Sequence, residues 1–171
     1  MHGAGVIEAI EDREVLGEKQ QYYVVNIPMG KMQVLVPTAK VSDIGIREII
    51  GGNEAKDVLE HMRKREEVEG LNWNRRYRSN LDKIKTGDIY EVADVVRALM
   101  VREHTKGLSA GERKMLDNAR QMLISELALA SEMSEEQILD LLVKVITEQD
   151  NFAPDVDNEK HIPANEDVDV N

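Results

Sequence analysis

The sequence predicts an α+β protein, with a small antiparallel sheet in its first forty residues and an all-helical domain after it. Three observations predict this. Between residues 4 and 37, β-branched and aromatic residues fall into short runs broken by Gly17 and by Pro28-Met29-Gly30-Lys31, the composition of strands joined by tight turns. From about residue 42 onward, apolar side chains recur at the three-and-four spacing of a helix face. Finally, Asp88, Ser109 and Ser134 are each followed three residues later by Glu91, Glu112 and Gln137, the spacing at which an N-cap and its third helical residue satisfy each other's backbone N–H groups.

Composition sets the limits. A chain of 171 residues with 42% hydrophobic content can hold one domain or two small ones, and with aromatics at only 4% the cores must be aliphatic. The absence of cysteine excludes disulfides and thiolate metal sites. No apolar run approaches the roughly 18 residues that a membrane span requires, and the start lacks a signal peptide's apolar core, so a soluble cytoplasmic protein with no membrane partner is expected.

Val6, Ile7 and Ile10 mark a first strand, residues 22–27 a second, and Met32, Val34 and Val36, alternating with Gln33 and Leu35, a third that Pro37 closes. Strands in direct succession form a meander. Gly3-Ala4-Gly5 is not a nucleotide loop, because Glu8 stands where the third glycine belongs and no strand precedes it. Residues 42–50 read as a short helix capped by Ser42 and stopped by Gly51-Gly52. Asn53 then caps a second helix with an Ala55, Val58, Leu59, Met62 stripe, and the charged run 63–67 reads as linker ending at Gly70. The three capping pairs open helices with the stripes Ile89, Val92, Val96 and Leu99, then Met115, Leu116, Ala119 and Leu123, then Ile138, Leu142, Val145 and Ile146. With the helix that begins near Trp73, these stripes cover one another in a bundle. Residues 150–171 hold seven acids, one lysine and no apolar stripe, which predicts a disordered acidic tail.

The stretch from residue 71 to residue 85 stands apart. It contains the only tryptophan, and from Asn74 to Lys85 it has five basic residues against one acid in a chain of net charge −11. Tyr77, Leu81 and Ile84 share one side of a helix and leave most of the arginines on another. Asn72 or Asn74 can cap this helix and Gly87 can end it, which puts Trp73 at an N-terminus that itself favours phosphate. A large ring beside a phosphate site suits a minor-groove wedge; equally, a tryptophan there can fold back as a hydrophobic staple and an arginine run can be a solvated face. No chemistry competes with either reading. The four histidines are scattered, and neither a nucleophile motif nor a phosphate loop is present, so no catalytic residue, metal site or cofactor is expected.

The run Asn72-Trp73-Asn74-Arg75-Arg76-Tyr77-Arg78-Ser79-Asn80-Leu81, with Gly107-Leu108-Ser109-Ala110-Gly111-Glu112-Arg113 and Glu126-Leu127-Ala128-Leu129-Ala130, closely resembles the CarD/CdnL family of bacterial transcription regulators. The likeness extends through His2-Gly3-Ala4-Gly5 and residues 34–37 and covers residues 1 to about 147. It implies a non-enzyme, with a Tudor-like barrel at residues 1–40 that binds the RNA polymerase β subunit, a helical domain at 41–147 that binds promoter DNA, and a tail at 148–171. It also implies stabilisation of the open complex by Trp73 as a wedge in the minor groove, with low sequence specificity. Arg75, Arg76 and Arg78 would hold phosphates, and Arg113 is carried over from the second motif. Arg13, Val34, Leu35 and Val36 are the expected polymerase contacts. Leu35 stands where some relatives have an arginine, which leaves Arg13 as the clearest charged contact. The family's first strand, ending in Tyr-Pro, has no counterpart before His2, so an incomplete barrel with an open strand edge is expected. A monomer is expected. Two rivals stay open: a helical adaptor for another protein that does not bind DNA, and a small enzyme with a dispersed site.

Overall fold

The structure, a computed structural model, describes residues 3–150 except 16, 29, 42, 44, 45 and 65–71 and the side chains of 149 and 150; the acidic tail lies outside the described residues. The sheet domain consists of β1 (Val6–Val15), β2 (Glu18–Ile27) and β3 (Met32–Pro37), antiparallel in that order. Gly17 takes φ +84° between the first two strands, and Lys31 N donates to Pro28 O at 3.0 Å to close the turn before the third. A bulge between Ile7 and Ala9 sets Glu8 outside the ladder, where its carboxylate accepts from Asn26 Nδ2 on β2 and Gln33 Nε2 on β3. Tyr22, Val24, Ile27 and Val36 are buried, whereas Val6, Ile7, Ile10 and Val15 along β1 are exposed.

The helix expected over residues 42–50 does not form at its described residues 43 and 46–50. Thr38–Lys40 form a single 3-10 turn, and residues 46–50 follow no helical path; Ser42 lies outside the described residues. The reason is Glu126. Its carboxylate accepts from both Arg47 Nη1 (2.6 Å) and Nη2 (3.0 Å) and from the backbone N–H of Ile50 (3.1 Å), while Arg47 also donates to Gly87 O at 2.8 Å. A helix would have claimed that N–H for itself.

The two glycines that were expected to stop a helix instead open one. α1 spans Gly52–Arg63 with Gly51, not Asn53, at its N-cap, and it starts close against α4, where a Cβ at Gly52 would lie 3.1 Å from Ala130 O, a tight contact that glycine avoids. The remaining helices agree with the capping signals: α2 (Trp73–Thr86), α3 (Ile89–Lys106), α4 (Ala110–Ser131) and α5 (Glu135–Asp150). Asn72 caps α2 by accepting from Arg75 N at 3.0 Å, and Gly87 ends it at φ +73°. Ser109 and Glu112 form a complete capping box, as do Ser134 and Gln137. α3 and α4 make the central pair, and α1 and α5 close over them so that Val58, Met62, Leu99, Leu116, Leu123, Leu127, Leu142 and Ile146 are all within 2% of full burial. α5 runs to Asp150, three residues past the domain boundary expected at 147.

Where the chain meets the bundle, it is held at consecutive residues of α4. Ser125 Oγ accepts from Ala4 N at 2.8 Å, with Gly3 at φ +81° so close that a Cβ would lie 2.5 Å from the same hydroxyl. Glu126 takes the chain leaving the sheet. We therefore expect Arg47→Ala, which strips a mostly buried carboxylate of its bidentate partner, to lower stability by about 1–2 kcal/mol. Among the described residues, the exposed Arg13 pairs only with Glu11 two residues away on its own strand, so Arg13→Ala should change stability by less than about 0.5 kcal/mol. Urea midpoints at neutral pH compare the two.

Candidate nucleic-acid interface

The basic stretch is assembled around a carboxylate on another helix. Glu112, in the first turn of α4, lies on the same face as Met115, Leu116 and Ala119 and is 1% exposed. Its Oε1 accepts from Arg76 Nη2 (2.7 Å) and Nε (3.1 Å) and stands 3.5 Å from Arg102 Nε; its Oε2 accepts from Ser109 N (3.1 Å) and Oγ (2.8 Å). Burial by itself would push this carboxyl up. The Arg76 and Ser109 hydrogen bonds and the charge of Arg76 more than reverse that, and bring it down to about 2. One buried ion pair thus fixes α2 against the start of α4.

Trp73, the first residue of α2, sits on that junction. Its ring stacks on Tyr77 one turn along, with centroids 5.2 Å apart and planes 24° from parallel, and its Nε1 donates to Ser109 Oγ at 3.2 Å. Tyr77 also lies against Gly111, where a Cβ would come within 3.3 Å of the ring. Despite these contacts, Trp73 remains 45% exposed, while Tyr77 is packed against the bundle core. The tryptophan covers the end of the bundle and still presents a face to solvent.

The basic residues divide by what they touch. Arg76 belongs to Glu112. Lys83 donates to Asp94 Oδ2 at 3.0 Å and pairs with Glu91 at 3.3 Å, and since Asp94 also meets His61 Nε2 at 2.7 Å, it links α2, α3 and α1. Arg75 and Arg78 are exposed and form no ion pair among the described residues. They stand on the rim of a shallow open groove between α2 and α3 that Asp82 and Glu91 also line. Arg113 is exposed, 3.6 Å from Glu103.

Two family profiles match this chain: CarD, C-terminal domain, over residues 57–143, and the CarD-like/TRCF RID domain over residues 1–50. The chain is also 47% identical over 138 residues, 81% of its own length and 90% of the relative's, to "Putative transcription factor YdeB" of Bacillus subtilis (strain 168). The chain belongs to the CarD/CdnL family. It is therefore a CarD-like member of a transcription-factor family, built as a sheet domain of the RID type followed by a helical domain. On the sheet of this CarD-family protein, Arg13 is exposed on β1, Val34 is half-buried, Leu35 is 38% exposed, and Val36 on the opposite face is buried. Among the described residues, no helix is long and apolar enough to cross a membrane and no group of three or more acids and histidines could hold a metal ion.

Sequence reasoning placed Glu112 in a capping box but missed its ion pair with Arg76, and it missed Tyr77, Ser109 and Gly111 as the seat of Trp73. A signal was available: Glu112 sits three, four and seven residues before Met115, Leu116 and Ala119, which puts a charge on an apolar stripe, and a charge there requires a partner.

Because the folded pKa of Glu112 lies below the usual 4.5 of an unfolded chain, its contribution to stability is complete above about pH 4.5 and is lost as pH falls toward 2. We expect the bundle to lose roughly 3 kcal/mol across that window, and Glu112→Gln to be less stable at neutral pH with a flatter acid limb. Arg76→Ala, which orphans the buried carboxylate, should cost about 3–5 kcal/mol, against less than about 0.5 kcal/mol for Arg75→Ala or Arg78→Ala. Thermal melts from pH 7 to pH 2 measure all four variants.

Proposed function

We propose that this CarD-family protein binds the RNA polymerase β subunit through residues 1–40 and promoter DNA through residues 41–147, and that it stabilises the open complex without catalysing a reaction. The observation that carries the reading is Trp73, a half-exposed ring at a helix N-terminus, on a helix whose exposed Arg75 and Arg78 bear the only local positive surface among the described residues that other side chains do not claim. A ring at such a place can enter a partly unstacked minor-groove step, and the two arginines can hold the phosphates beside it. Phosphates are anchored without their bases being read, so preference among sequences follows deformability.

Arg76 takes a different part in this reading. Its guanidinium braces α2 through Glu112, and Arg75 and Arg78 carry the phosphate contacts, with Arg113 in a secondary place at the start of α4. On the sheet, Arg13 with the exposed Leu35 and half-buried Val34 form the polymerase-facing group, Val36 supporting them from the buried face, and the apolar side chains along β1 support an interaction role for this domain. The net charge of −11 opposes binding to free DNA, so docking on polymerase supplies the local concentration that the bundle alone lacks.

Trp73→Ala should leave the β-subunit pulldown unchanged and shorten the open-complex half-life, whereas Arg13→Glu should weaken the pulldown and leave the weak binding to free DNA as it was. Arg75→Ala and Arg78→Ala should each reduce the salt slope of DNA binding by about one. Open-complex half-life on one promoter, the pulldown and a salt titration make up the test. A bundle that only holds another protein would show no such slope, and a Trp73→Ala variant that no longer folds would identify the ring as a core staple.

A further inference from the structure

We infer that Ser109 is the positioning residue for Trp73, and that the N-cap of α4, with Glu112 behind it, aims the tryptophan. The inference rests on the wedge reading above for its functional consequence but not for its structural content. Trp73 has a single polar atom, Nε1, and it donates to Ser109 Oγ at 3.2 Å, within the range of a true N–H···O bond. The hydroxyl that receives it has no freedom to turn away. It donates its own proton to Glu112 Oε2 at 2.8 Å and accepts from Glu112 N at 3.3 Å, and Glu112 is locked in turn by Arg76. The lone pair facing the indole is therefore set by a chain of bonds that ends in a buried ion pair. The ring's face is set independently by Tyr77, which is backed by the bare Cα of Gly111.

Two constraints, one on the ring's edge and one on its face, hold a half-exposed side chain in place. This is what a wedge requires. A tryptophan free to change rotamer would lose that freedom on entering a base step and weaken the complex by the same amount, whereas a ring already held gives up little. The residues of the 107–113 motif thereby acquire distinct tasks: Ser109 holds the indole edge, Gly111 admits Tyr77, and Glu112 fixes both helices. Arg113 points elsewhere, toward Glu103.

Because Trp73 is the only tryptophan, its fluorescence reports on this orientation without a label. The variant to make is Ser109→Gly, which removes the hydroxyl while glycine still serves as an N-cap at little cost to α4; Ser109→Thr restores the hydroxyl. In the free full-length protein, Ser109→Gly should lower the emission anisotropy of Trp73 and raise its quenching by acrylamide by about twofold or more, with the cooperative melt of the bundle retained. With RNA polymerase on one promoter, the open-complex half-life should fall by roughly threefold or more while the salt slope set by Arg75 and Arg78 stays at its wild-type value. Ser109→Thr should return both readouts toward wild type. Unchanged anisotropy and quenching in Ser109→Gly would overturn the inference, as would a loosened ring with an unchanged half-life when Trp73→Ala shortens it. If Trp73→Ala also leaves the half-life unchanged, the wedge reading is what fails, and the fluorescence still decides whether Ser109 holds the ring.

Discussion

A carboxylate that water cannot reach must be answered by the protein, and in this chain the answer to Glu112 organises the whole junction of α2 and α4. Left alone, the charge would be expelled or neutralised, because desolvation costs more than a single hydrogen bond returns. Arg76, Ser109 and Arg102 surround it instead, the arginines bringing α2 and α3 with them and the serine capping Glu112's own helix. Two helices far apart in sequence thus acquire a fixed crossing, and the lone tryptophan lies on the seam they create. The arrangement binds stability and function into the same few atoms: a buried pair of this kind is not the most stabilising use of the space, but it has a single satisfactory geometry.

That division of labour explains why five basic residues between Asn74 and Lys85 do not act as five equivalent cations. Arg76 and Lys83 turn inward to carboxylates of α4 and α3, and Lys85 stays close to Asp82. Only the flank bearing Arg75 and Arg78 adds to the outward field. In a molecule with 33 acids, a small positive surface beside an apolar ring recognises a narrow class of partner, since general attraction to polyanions is absent.

The strands, the order of the helices, the three N-caps and two of the three reciprocal capping pairs were legible in the sequence because each depends on chemistry local to a few residues; at the third, Asp88 accepts from Glu91 N but its own N–H goes to Thr86 Oγ1. The same holds for Asn72 and Gly87 at the ends of α2. What failed to show was long-range. Nothing near residue 47 hints that its guanidinium will meet Glu126, so a plausible short helix at 42–50 was inferred where the chain in fact follows a path dictated 79 residues away. Gly51-Gly52 misled in the same manner, as the need for glycine comes from Ala130 on another helix. In the candidate site, the exposed ring and arginines could be read from composition and spacing. The seat beneath the ring could not, because Tyr77 and Ser109 become neighbours only after the bundle closes.

The capture of the sheet domain by Ser125 and Glu126 has a mechanical consequence. The chain is fastened at Ala4, two residues before the first strand, and again at Arg47, ten residues after the last, and both points are held by neighbouring residues of the longest helix. A domain hung from one strand of backbone swivels about it; one tied at two points resists twisting, and a load on the strands is delivered as torque to α4. The same helix carries at its far end the turn on which the tryptophan rests. A pull on the sheet therefore reaches that end along a stiff shaft of about four helical turns.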